Sequence, residues 1–213
     1  MSERAVSDWM QFFRDIAVEH LARHPRVLGG EGCVVEIDES LFARRKYNRG
    51  RHVVPQWVFG GYCRRSGLGF LIPVPDRQAD TLLPIVADFI APGTIIYSDC
   101  WPAYNRIPAI PERNYGHMVV NHSQHFVDPE TGVHTNGVEG MWSRAKSKVK
   151  AMNGTARSLV FEYAAEFMFR QEFQRDILHA LWATIAELYP LGDVFDELAE
   201  LRREAGIEDQ ESE

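Results

Sequence analysis

The sequence is poor in cysteine. Three of its 213 residues are Cys33, Cys63 and Cys100, far apart and in no C-x-x-C pair. That spacing excludes a disulfide framework and a zinc ribbon, and it fits a reducing compartment. No apolar run approaches the ~18–20 residues that a bilayer-spanning helix needs. Residues 1–15 carry acids and no apolar core of the signal-peptide kind, so export by that route is not expected. The expected setting is intracellular and away from membranes: the nucleus in a eukaryotic host, the cytoplasm in a bacterial one. There is no internal repeat. What is present is a 45% apolar, 25% charged chain of a length suited to one ordinary domain with a core.

Acids are missing where bases gather. Residues 41–65 hold seven bases (Arg44, Arg45, Lys46, Arg49, Arg51, Arg64, Arg65) and no acid. Residues 144–157 hold five (Arg144, Lys146, Lys148, Lys150, Arg157), again with no acid. From Asp193 onward nine acids meet two bases, so this tail carries the whole net charge of −7 and the rest of the chain is neutral. Basic clusters on a neutral body fit a polyanion-binding surface, and they equally fit solvated faces.

Hydrophobic periodicity predicts a helix over about 8–23, a strand over 33–38 that stops at acids, and a basic loop or hairpin over 43–52. Strands over 56–63 and 68–74 flank a turn at Arg65-Ser66-Gly67, which reads as a hairpin. A helix over 79–90, interrupted by Pro84, precedes a strand over 94–98 that meets Asp99. A short helix over 101–106, a strand over 117–121 and a polar loop over 122–133 follow. Helices are expected over about 135–151, 158–172, 178–188 and 194–201. This order describes an α/β mixed sheet, an antiparallel hairpin plus parallel strands, flanked by helices. It is the order of a ribonuclease H-like fold, although other α/β domains share it.

Two of the strands end in a carboxylate, Asp38 and Asp99. Neighbouring strands lie ~4.8 Å apart, so two such groups can face each other. Bare, they repel, and one holds its proton; magnesium, which prefers carboxylate oxygens, removes the conflict. Strand-end acids also simply meet solvent at turns. On the helix after His134, Glu139 and Lys146 stand two turns apart on one face, which suits a metal ion and a phosphate along one groove. Val138, Met141 and Ala145 share the neighbouring face, with Trp142 beside them. His117, His122, His125 and His134 raise a transition-metal site, but their spacing matches no compact zinc pattern. Trp101 and Tyr104, after the second aspartate, suit either core packing or stacking on a base.

Taken together, these segments resemble a known family. Val35 to Ser40, Tyr97 to Tyr104, Val120 to Ser123 with Phe126-Val127, and His134 to Glu139 with Trp142-Ser143 and Lys146 are similar to the ISXO-like DDE transposase domain. Bacterial insertion sequences carry that domain, and eukaryotic Merlin elements carry a relative. The 56–61 strand and the 73–77 turn also resemble the eukaryotic members. The likeness spans about residues 30–173.

The resemblance implies a ribonuclease H-like catalytic domain over 31–175. A helical segment over 1–30 would precede it, and a helical extension with the acidic tail would follow over 176–213. It implies Asp38, Asp99 and Glu139 as catalytic acids holding two magnesium or manganese ions, with Asn136 a rival or supporting third ligand. His122, His134 and Trp142 would support them, and Lys146 would hold the phosphate backbone. Arg44, Arg45, Lys46, Arg49 and Arg51, with Lys148 and Lys150, would face DNA. The implied activity is metal-dependent cleavage and strand transfer of DNA, on DNA ends gripped by a dimer or larger assembly. The alternatives are a domesticated DNA-binding protein without transposition activity and a metal-dependent nuclease of the same fold. Such transposases commonly carry a cysteine-rich recognition module ahead of the core. The ~30 residues before the first strand hold no cysteine, so none is expected there.

Overall fold

The computed structural model describes residues 2–42, 55–122, 126–152, 155–190 and 200–202. In chain order its elements are α1 (Glu3–Arg23), β1 (Leu28–Gly29), β2 (Val34–Phe42), β3 (Gln56–Cys63), β4 (Gly69–Val74), α2 (Ala79–Phe89), β5 (Ile90–Ala91), β6 (Ile95–Ser98), a 3-10 helix (Pro102–Ala109), β7 (Gly116–Val119), α3 (Asn136–Ala151), α4 (Val160–Phe173) and α5 (Ile177–Leu188). The basic loop carrying Arg44, Arg45, Lys46, Arg49 and Arg51, His125, and most of the acidic tail lie outside the described residues.

β2, β3, β4, β6 and β7 form one sheet in the order β4-β3-β2-β6-β7, and β1 pairs β5 in a separate two-stranded sheet. Only β3 runs against its neighbours: it pairs antiparallel with β2 and β4, whereas β2, β6 and β7 run parallel. The fold is ribonuclease H-like. Because β2, β4, β6 and β7 share a direction, their C-terminal ends meet at one edge of the sheet, where ligands of open α/β sheets collect.

The alternation of β2 divides the core. Val35 and Ile37 are fully buried on one face. There Phe59 meets Phe70 at 5.7 Å and Tyr104 at 6.3 Å, and Phe70 meets Phe89 of α2 at 5.1 Å. Each fully buried side chain of this size contributes roughly 1.5–3 kcal/mol. The opposite face, carrying Glu36, Asp38 and Ser40, is covered by α3. α1 joins the same unit through α4, where Gln11 donates to Glu162 at 2.7 Å.

Two expectations about elements change. β2 does not stop at its acids; it continues to Phe42 and leaves Asp38 in mid-strand, because both Asp38 and Ser40 find partners on α3. Pro84 does not interrupt α2. The chain forms two compact units, Met1–Gln174 and Arg175–Glu213; the described part of the second, residues 175–190 and 200–202, includes α5 and the helical residues 200–202. Among the described residues no helix is long and apolar enough to cross a membrane.

Candidate active site

α3 lies along β2 in matched steps. The Val138 backbone N–H donates to Glu36 Oε2 at 2.9 Å, the Trp142 indole N–H to Asp38 Oδ2 at 3.1 Å, and the Lys146 ammonium to Ser40 Oγ at 2.5 Å. Four helical residues rise about 6 Å and two strand residues about 6.6 Å, so a stripe at 138, 142 and 146 stays in step with 36, 38 and 40. Two glycines permit this close approach. A Cβ on Gly60, the residue paired with Asp38, would sit 2.7 Å from the Trp142 ring, and one on Gly137 would sit 2.6 Å from Tyr62 and 2.9 Å from Glu36 Oε2.

The first rung is a buried ion pair. Glu36 is 0% exposed and takes the Arg64 Nε–H at 2.6 Å. Arg64 Nη2 reaches His134 Nδ1 and the His134 carbonyl, both at 2.9 Å, and the guanidinium lies 4.8 Å from the Tyr97 ring centroid. The Asn136 N–H also points at His134 Nδ1, at 3.3 Å. Two donors converge on that nitrogen, which lies 3.7 Å from Glu36 Oε1. Glu36 and Arg64 therefore fix the start of α3.

β2 and β6 pair Glu36 with Tyr97. β6 ends at Ser98, one residue before Asp99, and the Asp99 charge is near enough to act on Asp38. Burial pushes the Asp38 carboxyl up to about 7, with the charges of Glu39 and Asp99 adding to the rise; the Glu39 N–H and the Trp142 indole oppose it. Asp99 Oδ1 accepts the Trp101 N–H at 2.9 Å. Lys146 lies 5.4 Å from the Phe42 ring centroid. Burial lowers its pKa and Lys150 lowers it further, against the pull of Asp38.

Glu139 stands beside this stripe, its side chain 48% exposed. The Thr135 hydroxyl donates to Glu139 Oε1 at 3.3 Å, and His122 Nε2 lies 2.7 Å from that hydroxyl. A hydroxyl has one proton to give, so His122 donates to Thr135 and Thr135 to Glu139. Glu139 makes no hydrogen bond or ion pair with either aspartate. Asn136 is exposed at the helix start. His117 Nε2 meets the Ser98 hydroxyl at 2.9 Å, and burial lowers its pKa. The three described histidines of the cluster are thus spent separately. Among the described residues no three His, Cys, Asp or Glu side chains stand close enough to share a metal ion.

Two basic residues take structural partners. Lys148 is bound to both carboxylate oxygens of the buried Glu166 at 2.5 Å, with its side chain 40% exposed. Arg64, from the acid-free run, is spent on Glu36. Lys150 is exposed. Tyr104 is fully buried in the core, and Trp101 is half-buried against Arg77. Sequence reasoning assigned no role to Glu36, Ser40, Glu39 or Arg77. The signal for Glu36 was present: a carboxylate two residues before Asp38, inside an apolar run, must share its face.

The family model described as the ISXO2-like transposase domain matches residues 28–172. An "Uncharacterized transposase-like protein" of Haemophilus influenzae is 29% identical over 101 residues, 47% of this chain and 78% of the relative. Among solved structures, the BIV integrase catalytic core is 13% identical at a TM-score of 0.44, covering 63% of this chain and 80% of that one. The HTLV-2 integrase catalytic core domain in complex with magnesium is 10% identical at a TM-score of 0.42, covering 68% of this chain and 86% of that one. With its family match running from β1 almost to the end of α4, the chain belongs to the ISXO2-like transposase domain family.

Proposed function

We propose that this chain is a DDE-type catalytic domain that cleaves DNA strands and joins a 3′-hydroxyl end to target DNA. The observation that carries the reading is the electrostatics at Asp38: a carboxyl raised to about 7 by burial and by the charges of Glu39 and Asp99. A divalent cation would relieve the repulsion between Asp38 and Asp99. Asp38 and Asp99 would hold it, with Glu139 or Asn136 completing the donors. Magnesium or manganese bound there would supply Lewis-acid activation of the attacking hydroxyl and offset charge on the phosphoryl oxygens. The chain's own residues orient and hold. The Trp142 indole fixes the Asp38 carboxylate, the His122–Thr135 relay orients Glu139, and Lys146 supplies positive charge along the phosphate backbone. Arg44, Arg45, Lys46, Arg49, Arg51 and Lys150 would add phosphate contacts, and a second copy would grip the other DNA end.

Cleavage and end-joining on a supercoiled plasmid with magnesium or manganese test this reading. Wild-type activity should vanish in Asp99→Ala. Loss in Glu139→Ala with retention in Asn136→Ala assigns Glu139 as third acid, and the reverse pattern assigns Asn136. Metal-dependent nicking without end-joining would leave a nuclease. A second reading, a DNA-binding protein without strand transfer, is favoured by one observation: Glu139 is engaged with Thr135 rather than with the aspartates. On that reading DNA binding survives Asp99→Ala and ignores metal.

A further inference from the structure

Arg77 sits in the turn after β4, at the sheet edge where β2 and β4 end: Val74 pairs Trp57, and Trp57 pairs Leu41. Its guanidinium is held between two indoles, 4.2 Å from the Trp57 ring centroid and 4.1 Å from that of Trp101. The backbone is pinned as well. The Trp101 indole N–H donates to the Arg77 carbonyl at 2.9 Å. Asp76 Oδ1 accepts the Gln78 N–H at 2.9 Å and the Thr81 hydroxyl at 2.7 Å. Trp101 in turn donates its own N–H to Asp99, so the clamp is tied to a proposed catalytic acid.

The two ring contacts engage the guanidinium without using its N–H donors. Among the described residues, Arg77 makes no side-chain hydrogen bond and no ion pair. Neutralising the neighbouring Glu39 does not account for it. Its charge lowers the Glu39 pKa, yet the two make no salt bridge, and Glu39 Oε1 stays buried without a partner. A planar fork with five N–H donors, fixed in orientation and half-exposed, matches an acceptor that takes two parallel hydrogen bonds. Indole stacking holds the fork without consuming a donor.

We propose that Arg77, clamped by Trp57 and Trp101, binds a backbone phosphate of the DNA strand next to the one being cut, and so sets the position of that strand against Asp99. This rests on the DNA-processing reading above. It is tested by anisotropy of a labelled DNA duplex over a salt series, with wild type, Arg77→Gln and Arg77→Lys. Arg77→Gln should bind about tenfold more weakly at low salt, and its log–log salt slope should fall by about 0.9, the value for one lost phosphate contact. Arg77→Lys keeps the charge but not the fork, so it should keep the slope and still lose affinity several-fold. A wild-type slope and affinity in Arg77→Gln overturn the proposal. If Arg77→Gln melts too low to assay, wild-type affinity in Arg77→Lys overturns it instead. Metal-dependent plasmid cleavage by wild type separates the two failures. Cleavage with an indifferent Arg77 sinks this inference alone, whereas a wild type that neither binds nor cleaves DNA sinks both.

Discussion

The two faces of β2 handle polar side chains in opposite ways. Toward α3, Glu36, Asp38 and Ser40 each meet a donor one helical turn further along. Toward α2 and the 3-10 helix, Glu39 Oε1 and the Tyr104 hydroxyl are buried with no hydrogen-bond partner. Burial raises Glu39 to about 7, and although Tyr104 lowers that pKa, the pair does not reach hydrogen-bond geometry. The satisfied face costs little and holds its geometry. The unsatisfied one stores a penalty on the order of 1–3 kcal/mol per group. The difference is between a face whose polar groups are tied into the α3 scaffold and a core face that buries two polar groups unpaired.

Breaking the first rung should produce the largest effect. Arg64→Met leaves the fully buried Glu36 charge with one backbone donor, and should cost about 3–5 kcal/mol in denaturant unfolding. Replacing both, as Glu36→Gln with Arg64→Met, should recover part of that loss. If the single change costs less than 1 kcal/mol, Glu36 is not held as an ion and the scaffold account fails.

Gly60→Ala attacks the second rung. Its new methyl would stand 2.7 Å from the Trp142 ring, and overpacking of this kind costs about 1–3 kcal/mol. Because Trp142 also holds Asp38, catalytic activity should fall by more than the stability loss explains. Thermal melting read beside plasmid cleavage separates the two effects, and equal losses would reduce Trp142 to a packing residue.

On the unsatisfied face the sign should reverse. Tyr104→Phe removes a buried hydroxyl that makes no hydrogen bond, so melting should show a gain of about 1 kcal/mol or no change. A clear loss would mean that the hydroxyl does bind Glu39, and the contrast between the faces would disappear.

Much of this layout was legible. The 56–63 and 68–74 hairpin follows from two apolar runs around the Arg65-Ser66-Gly67 turn, β3 being buried on both faces, and the 135–151 helix from the helical spacing of its buried stripe. That Asp38 and Asp99 lie on neighbouring strands or just beyond them was expected from two apolar runs that each meet an acid, and the charge of Asp99 does act on Asp38. What was not legible is long-range. Nothing local says that Arg64, in a run of bases, turns inward to Glu36, or that Lys148 turns to Glu166. An acid ordinarily ends a strand; β2 passes through Asp38 because the Trp142 indole, 104 residues away, receives it. Arg77 lay at a turn with no periodic signal at all, and only the fold brings Trp57 and Trp101 to its two faces.

The smallest effect extends the satisfied side outward, from α3 to α4. Glu166 is buried, which alone would raise its pKa, but hydrogen bonds from Lys148 and Arg170 outweigh burial and hold it below the ordinary value of 4.5. A carboxyl depressed in the folded state adds stability above its unfolded pKa and loses it as pH falls through the folded one. Melting followed downward from pH 5 should therefore show an acid-side loss in wild type that Glu166→Gln lacks, with the variant less stable at neutral pH. Added salt should shrink the difference only in part, since Glu166 is buried although Arg170 is exposed to screening. A Glu166→Gln profile parallel to wild type would mean that the ordered polar network ends at α3 and does not reach the helix behind it.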